Sequence, residues 1–113
     1  MIKYNFGDIV IIDFPQSGLL ERKRRPALII LDVGDVDVVL APITTRKRLG
    51  AGDYKIRDWQ LSGLLRESWV RLAKVTCLEK SDIPLCLGKL SAYDKDRVTQ
   101  VWQELYAFQH EIN

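Results

Sequence analysis

Along the first ninety or so positions the apolar residues arrive in short bursts, too brief for helices and dense in β-branched side chains. GDIVIIDF, bounded by Gly7 and Pro15, reads as a strand. PALIILD and VDVVLAPIT are two more, separated by VGD, whose Gly34-Asp35 suits a hairpin turn. Between the first two strands PQSGLLERKRR reads as a loop, opened by Pro15 and Ser17-Gly18 and closed by a run of charge. GDYKIRDW alternates more loosely, with Tyr54 and Ile56 on one face and Lys55 and Arg57 on the other. In SWVRLAKVTCLE neither alternate set is cleanly apolar, which predicts a bend or bulge within it. PLCLGKL is a last short strand, and Gly50 to Gly52 reads as a mobile loop tip.

After that the period changes. Val98, Val101, Trp102, Leu105 and Phe108 fall at helical spacing, and Ser91 followed three residues later by Asp94 resembles a capping box with Asp in place of Glu. About six short strands and one closing helix predict a mainly β (α+β) fold: a small, strongly curved sheet or barrel covered by helix, one domain over 1–113.

Composition narrows the function classes. No stretch approaches the ~18 consecutive apolar residues of a membrane span, and the N-terminus MIKYNFGDIV lacks a signal peptide's apolar core, so a cytoplasmic protein is expected. Cys77 and Cys86 lie in apolar, strand-like sequence and are expected to act as small hydrophobes rather than as a disulfide. With no Cys-x-x-Cys pair and one histidine, His110, no metal site and no cofactor is expected. The net charge of +2 is small, but its distribution is uneven. Residues 1–75 hold 13 Lys and Arg against 9 Asp and Glu, whereas 76–113 hold 4 against 6. The positive charge clusters at Arg22, Lys23, Arg24, Arg25 and again at Arg46, Lys47, Arg48. Basic clusters of this kind are either solvated faces or phosphate-binding surfaces.

The usual hydrolytic kits are missing: no nucleophile elbow, no His-Glu-x-x-His, no phosphate-cradling glycine loop and no close carboxylate set typical of a two-metal nuclease. Arginine, lysine, threonine, serine and a few carboxylates remain. That inventory suits RNA cleavage by its own 2′-hydroxyl, where the substrate supplies the nucleophile and the protein positions the phosphate and stabilises its developing charge.

GDIVIIDFP, then RRPALII after a polar loop, then VVLAPITTR, then SWVRLAKVTCLEKSDI and LGKLS ahead of a helix, together resemble the MazF/PemK toxins of type II toxin-antitoxin systems. The ordered set runs from Gly7 to about Val101, with Arg-Pro opening the second strand and Ile-Thr ending the third. The resemblance implies a Src-homology-three-like barrel of the CcdB/PemK type and a homodimer. It also implies a metal-independent, sequence-specific endoribonuclease that cuts single-stranded RNA and is held in check by a cognate antitoxin. Carried over by position, it implies catalytic roles for Arg25, on the phosphoryl oxygens, and Thr44, hydrogen-bonded to the phosphate. Ser17, Arg22, Lys23 and Arg24, in the loop expected to close over RNA, and Thr45, Arg46, Lys47, Arg48 and Lys74 are the expected RNA-binding residues. Thr44 and Thr45 point to opposite faces if extended, and one of them is a candidate to cap the turn into Arg46. The structural alternative for Arg25 is an ion pair with Asp13 or Asp32.

The chain departs from well-known members at Ala73, Lys74 and Thr76, where they carry a carboxylate or Gln and an Arg-Thr pair. Two other function classes stay open on the same fold. One is a toxin acting on a protein such as DNA gyrase through the C-terminal helix, with Trp102, Tyr106 and Ile112 as the contact residues. The other is a non-catalytic RNA-binding barrel.

Overall fold

A computed structural model describes residues 2–15 and 22–112. Seven strands and a C-terminal helix follow in order: β1 (Asp8–Pro15), β2 (Arg22–Leu31), β3 (Asp37–Thr44), β4 (Asp53–Lys55), β5 (Trp69–Arg71), β6 (Thr76–Glu79), β7 (Leu85–Lys89) and α1 (Ala92–Ile112). Short 3-10 turns at Leu72–Lys74 and Lys80–Asp82 flank β6. The strands join one antiparallel sheet in the order β4-β5-β3-β2-β1-β7, with β6 also paired to β3. Mainly β with one closing helix is the architecture that the hydrophobic pattern predicted.

The apolar bursts are continuous because the central strands are buried on both faces. On one face Ile9, Leu28, Ala41, Ile43, Val70 and Leu72 pack with Ile56, Leu64, Leu90 and Val98, beneath α1. On the other, Val10, Ile12, Ala27, Ile29, Val38 and Leu40 pack with Ile83, closed over by Tyr4 and Leu78. The alternation of the two sets along β1, β2 and β3 fixes which side every neighbouring side chain faces.

Asp94 fastens the helix to the sheet. Ser91 Oγ accepts the Asp94 N–H at 3.2 Å, one half of the expected capping box, and the carboxylate reaches past its own helix. It accepts the Arg57 and Asp58 backbone N–H groups at 2.9 and 2.8 Å and the Tyr54 hydroxyl at 2.5 Å, fully buried. Burial first, and then the hydrogen bond to Asp94, raise the Tyr54 phenol above its ordinary 10.0. The Arg57 guanidinium and the Ser91 hydroxyl hold Asp58 below the usual carboxylate range, and the same guanidinium lies 3.4 Å from the centroid of the Tyr93 ring.

Four expectations need correction. Arg22 to Arg25 are strand, not loop: β2 begins at Arg22, and Arg22, Lys23, Arg24 and Arg25 pair with Pro15, Phe14, Asp13 and Ile12. Cys77 and Cys86 are free and exposed, because β6 and β7 are short outer strands rather than core. The strand expected over 52–59 is only Asp53–Lys55, since the chain leaves the ladder to bond Asp94. Gly52, expected at a loop tip, is half-buried and has φ +81, and a Cβ there would stand 2.9 Å from the Ala73 nitrogen. The interruption expected within 68–79 is present as the turn at Leu72–Lys74 between β5 and β6.

Candidate functional site

Arg25 and Thr44 lie toward the same end of β2 and β3, each two residues beyond the last β2–β3 pair, Ala27 with Pro42. Arg25 stands opposite Ile12 of β1 and Thr44 opposite Trp69 of β5. Arg25 alternates with Ala27, and Thr44 with Pro42 and Leu40, so both side chains lie on the face away from α1. A strand end next to a buried core holds a guanidinium more firmly than a loop does.

The charge around Arg25 separates into paired and unpaired groups. Asp13 and Asp32, its alternative partners, are both engaged elsewhere: Asp13 with Arg24 at 3.2 Å, Asp32 with Lys80 at 3.0 Å. Arg25 is exposed, with no ion pair or hydrogen bond among the described residues. Arg57 and Arg71 are paired with Asp58 and Asp53 and brace the structure. The structural alternative for Arg25 therefore finds no partner among the described residues, and an anion approaching this face meets an exposed guanidinium.

Thr44 Oγ1 accepts the Arg46 N–H at 3.2 Å, so it is Thr44 that caps the turn out of β3. A hydroxyl that accepts with its oxygen still has its proton to donate. The cap orients the group rather than consuming it. Thr45 points to the other face, where it joins Ile11, Pro26, Leu64, Ser68 and Leu87 around an apolar cavity of about 380 Å³.

The remaining expected RNA contacts divide by position. Lys23 and Arg24 are exposed on β2; Arg46 and Lys47 are exposed and Arg48 is half-buried in the turn that leaves β3 beside the start of β2. Arg22 occupies the first residue of β2, at the same end. Lys74 is not brought to this cluster: it is exposed in the turn after β5, at the end of that strand remote from the Trp69–Thr44 pair. Ser17 lies outside the described residues. No group of three or more His, Cys, Asp or Glu side chains positioned to hold a metal ion occurs among the described residues.

Three residues that sequence reasoning passed over continue the row. Thr44 pairs with Trp69 and Trp69 with Lys55, so these two side chains share the face of Arg25 and Thr44. Glu67 joins them through Lys55, Nζ to Oε1 at 3.3 Å. Nothing local signals this. The alternation in 68–79 shows that Trp69 is strand-like, but only the long-range β3–β5 register shows what it stands beside.

The fold and this basic strand end define a class: small antiparallel barrels with a C-terminal helix and an arginine-lined sheet end. Among solved structures, an endoribonuclease in complex with its cognate antitoxin from Mycobacterial species superposes with a TM-score of 0.72 at 17% identity, covering 90% of this chain and 93% of that one. The Mycobacterium tuberculosis toxin MazF-mt6 gives 0.70 at 22% identity, covering 88% and 96%. A MazE-MazF structure from Deinococcus radiodurans gives 0.71 at 21%, covering 94% and 98%. None of the curated proteins matches. The family described as the PemK-like, MazF-like toxin of type II toxin-antitoxin systems matches residues 5–106, and the chain belongs to it.

Proposed function

We propose that this toxin is an endoribonuclease that cuts single-stranded RNA at sequence-selected positions without a metal ion, with Arg25 and Thr44 at the scissile phosphate. The observation that carries the reading is that an arginine without an ion pair among the described residues and a capped, proton-bearing threonine share one face at the same end of neighbouring strands. The 2′-oxygen, giving up its proton, forms a bond to the adjacent phosphorus as the bond to the 5′-oxygen breaks; the departing 5′-oxygen takes up a proton that balances the one released, leaving a cyclic phosphate and a 5′-hydroxyl. Arg25 stabilises the charge that accumulates on the phosphoryl oxygens, and Thr44 donates a hydrogen bond to one of them. Lys23, Arg46, Lys47 and Arg48 contact flanking phosphates and set affinity more than sequence choice, whereas Arg24, ion-paired with Asp13 on the opposite face of β2, contributes less. Lys74, remote from this cluster, also contributes less. A cognate antitoxin of acidic character inhibits by covering the same basic end, and the working form is a homodimer in the cytoplasm.

The test contrasts two arginine substitutions with a lysine one, in chelator, on single-stranded RNA. Arg25→Ala cuts the cleavage rate by roughly 10²-fold or more while binding falls much less, since the lost interaction belongs to the transition state. Arg25→Lys stays severely impaired, because lysine keeps the charge but not the planar fork. Lys23→Ala weakens binding and flattens its salt dependence with little change at saturating RNA. Near-wild-type cleavage by folded Arg25→Ala sinks the assignment. Binding without cleavage by the wild type selects the RNA-binding barrel, and neither binding nor cleavage selects a protein target.

A further inference from the structure

Past Thr44, on the side away from Arg25, the same face opens into a groove of about 440 Å³ lined by Lys47, Arg48, Lys55, Glu67 and Trp69. We propose that this groove, opening beside the Arg25–Thr44–Trp69–Lys55 row, is the subsite that reads a nucleotide flanking the scissile phosphate, with Glu67 and Lys55 selecting cytosine or adenine there. The inference rests on the ribonuclease reading above.

Position comes first. Successive strands are about 4.8 Å apart, so Lys55 stands roughly 10 Å across the sheet from Thr44, within reach of a neighbouring nucleotide of a strand whose phosphate lies at Arg25 and Thr44. Trp69 is nearly buried beneath Lys55, whose Nζ lies 5.6 Å from the ring centroid, and so forms a wall rather than a stacking platform. That wall holds Lys55 against Glu67.

Chemistry follows from what is left over. Asp53, also on the groove, is consumed: it accepts from the Arg71 guanidinium at 3.2 Å and from the Gly50 N–H at 3.0 Å. Glu67 and Lys55 are more than half exposed, a carboxylate acceptor and an ammonium donor side by side. Cytosine and adenine each present an exocyclic amine beside a ring-nitrogen acceptor on the Watson–Crick edge, which an unstacked single strand exposes. The amine donates to Glu67 and the ring nitrogen accepts from Lys55. Uracil and guanine put a carbonyl where the amine would be, facing the carboxylate. Lys47 and Arg48, also on the groove, are the cations that meet the incoming backbone.

The experiment sequences the products of a randomised single-stranded RNA library cut by the wild type and by Glu67→Gln. Glutamine offers both a donor and an acceptor, so it tolerates a carbonyl as well as an amine. The wild type is expected to favour cytosine or adenine at one position beside the cut by about tenfold or more, and Glu67→Gln to relax that position alone. Lys55→Met, which removes the donor and leaves the Glu67 carboxylate without its ion-pair partner, is expected to relax the same position. An identical preference profile for wild type and both variants overturns the subsite while leaving the ribonuclease reading intact. A wild type that cuts no member of the library overturns both. Thermal melts of each variant, expected to match wild type at these exposed sites, establish that a changed profile is not partial unfolding.

Discussion

Removing the Asp94 carboxylate tests whether one buried acceptor holds the helix to the sheet. Three donors depend on it: the Arg57 and Asp58 N–H groups and the Tyr54 hydroxyl. Ser91 adds little as a fourth, because its hydroxyl proton goes to Asp58 at 2.7 Å rather than to Asp94 at 3.3 Å. Asp94→Ala leaves those three donors in a buried site without an acceptor, at about 1–3 kcal/mol each, so roughly 4–6 kcal/mol in all after relaxation. That is a large part of the ~5–15 kcal/mol that a domain of this size has in total. At about 4 °C per kcal/mol it lowers Tm by roughly 15 °C or more. Asp94→Asn keeps the shape and one acceptor oxygen but turns an amide donor toward a backbone N–H, and costs about half as much. Urea denaturation at neutral pH, with m compared across the variants, reads both numbers. A loss under about 1 kcal/mol for Asp94→Ala would refute the reasoning, since it would mean that water replaces the carboxylate at no cost.

Further predictions come from other parts of the fold. Burial works to raise the Asp32 pKa, but the Tyr4 and Gly34 N–H groups and Lys80 prevail and lower it from 3.8 to about 2. Because the folded pKa is the lower one, the stabilisation is complete above 3.8 and is lost as pH falls from there to about 2; Asp32→Asn should flatten that part of a stability-against-pH curve. Trp102, expected from its spacing to cover the sheet, is 37% exposed, so Trp102→Ala should cost about 1–2 kcal/mol by urea titration rather than the ~3–5 of a fully buried tryptophan. Gly63 has φ +89 and a Cβ there would lie 2.6 Å from the Leu87 carbonyl oxygen, so Gly63→Ala should destabilise by roughly 2 kcal/mol or more in the same assay.

What was legible in the sequence was whatever has a local cause. β1, β3 and β7 announce themselves because their residues are apolar whichever face they meet, and the start of α1 because Ser91 and Asp94 cap it from within a single turn. The break within 68–79 showed as a failure of alternation. Arg22 to Arg25 did not read as strand, because nothing in four charged residues favours a sheet; their partners at 12–15 across the hairpin impose it. The exposure of Cys77 and Cys86 was hidden for the converse reason, since an outer strand can carry the same letters as an inner one. Arg25 and Thr44 were reached by resemblance, and the face they share follows from the alternation along β2 and β3. Trp69, Lys55 and Glu67 were out of reach, since they gather only after β3 pairs with β5 and β5 with β4.

The same logic ties stability to the site. Lys55 is the last residue of β4, and the chain beyond it is held at two points: the Ile56 N–H donates to the Ser68 carbonyl at 2.9 Å, and the next two N–H groups donate to Asp94. Ser68 is in turn flanked by Glu67 and Trp69, both on the groove. The outer wall of the groove is therefore braced from behind by a fully buried carboxylate on the helix. A substitution at Asp94 mild enough to leave the protein folded, such as Asp94→Asn, should loosen Lys55 and Glu67 before it disturbs Arg25 and Thr44, which stand on the long β2 and β3 strands. Its expected signature is blurred base preference with the cleavage of a good substrate largely kept. A loss of cleavage in step with the loss of stability, at unchanged preference, would show instead that helix and sheet fail as one unit and that the groove has no separate support.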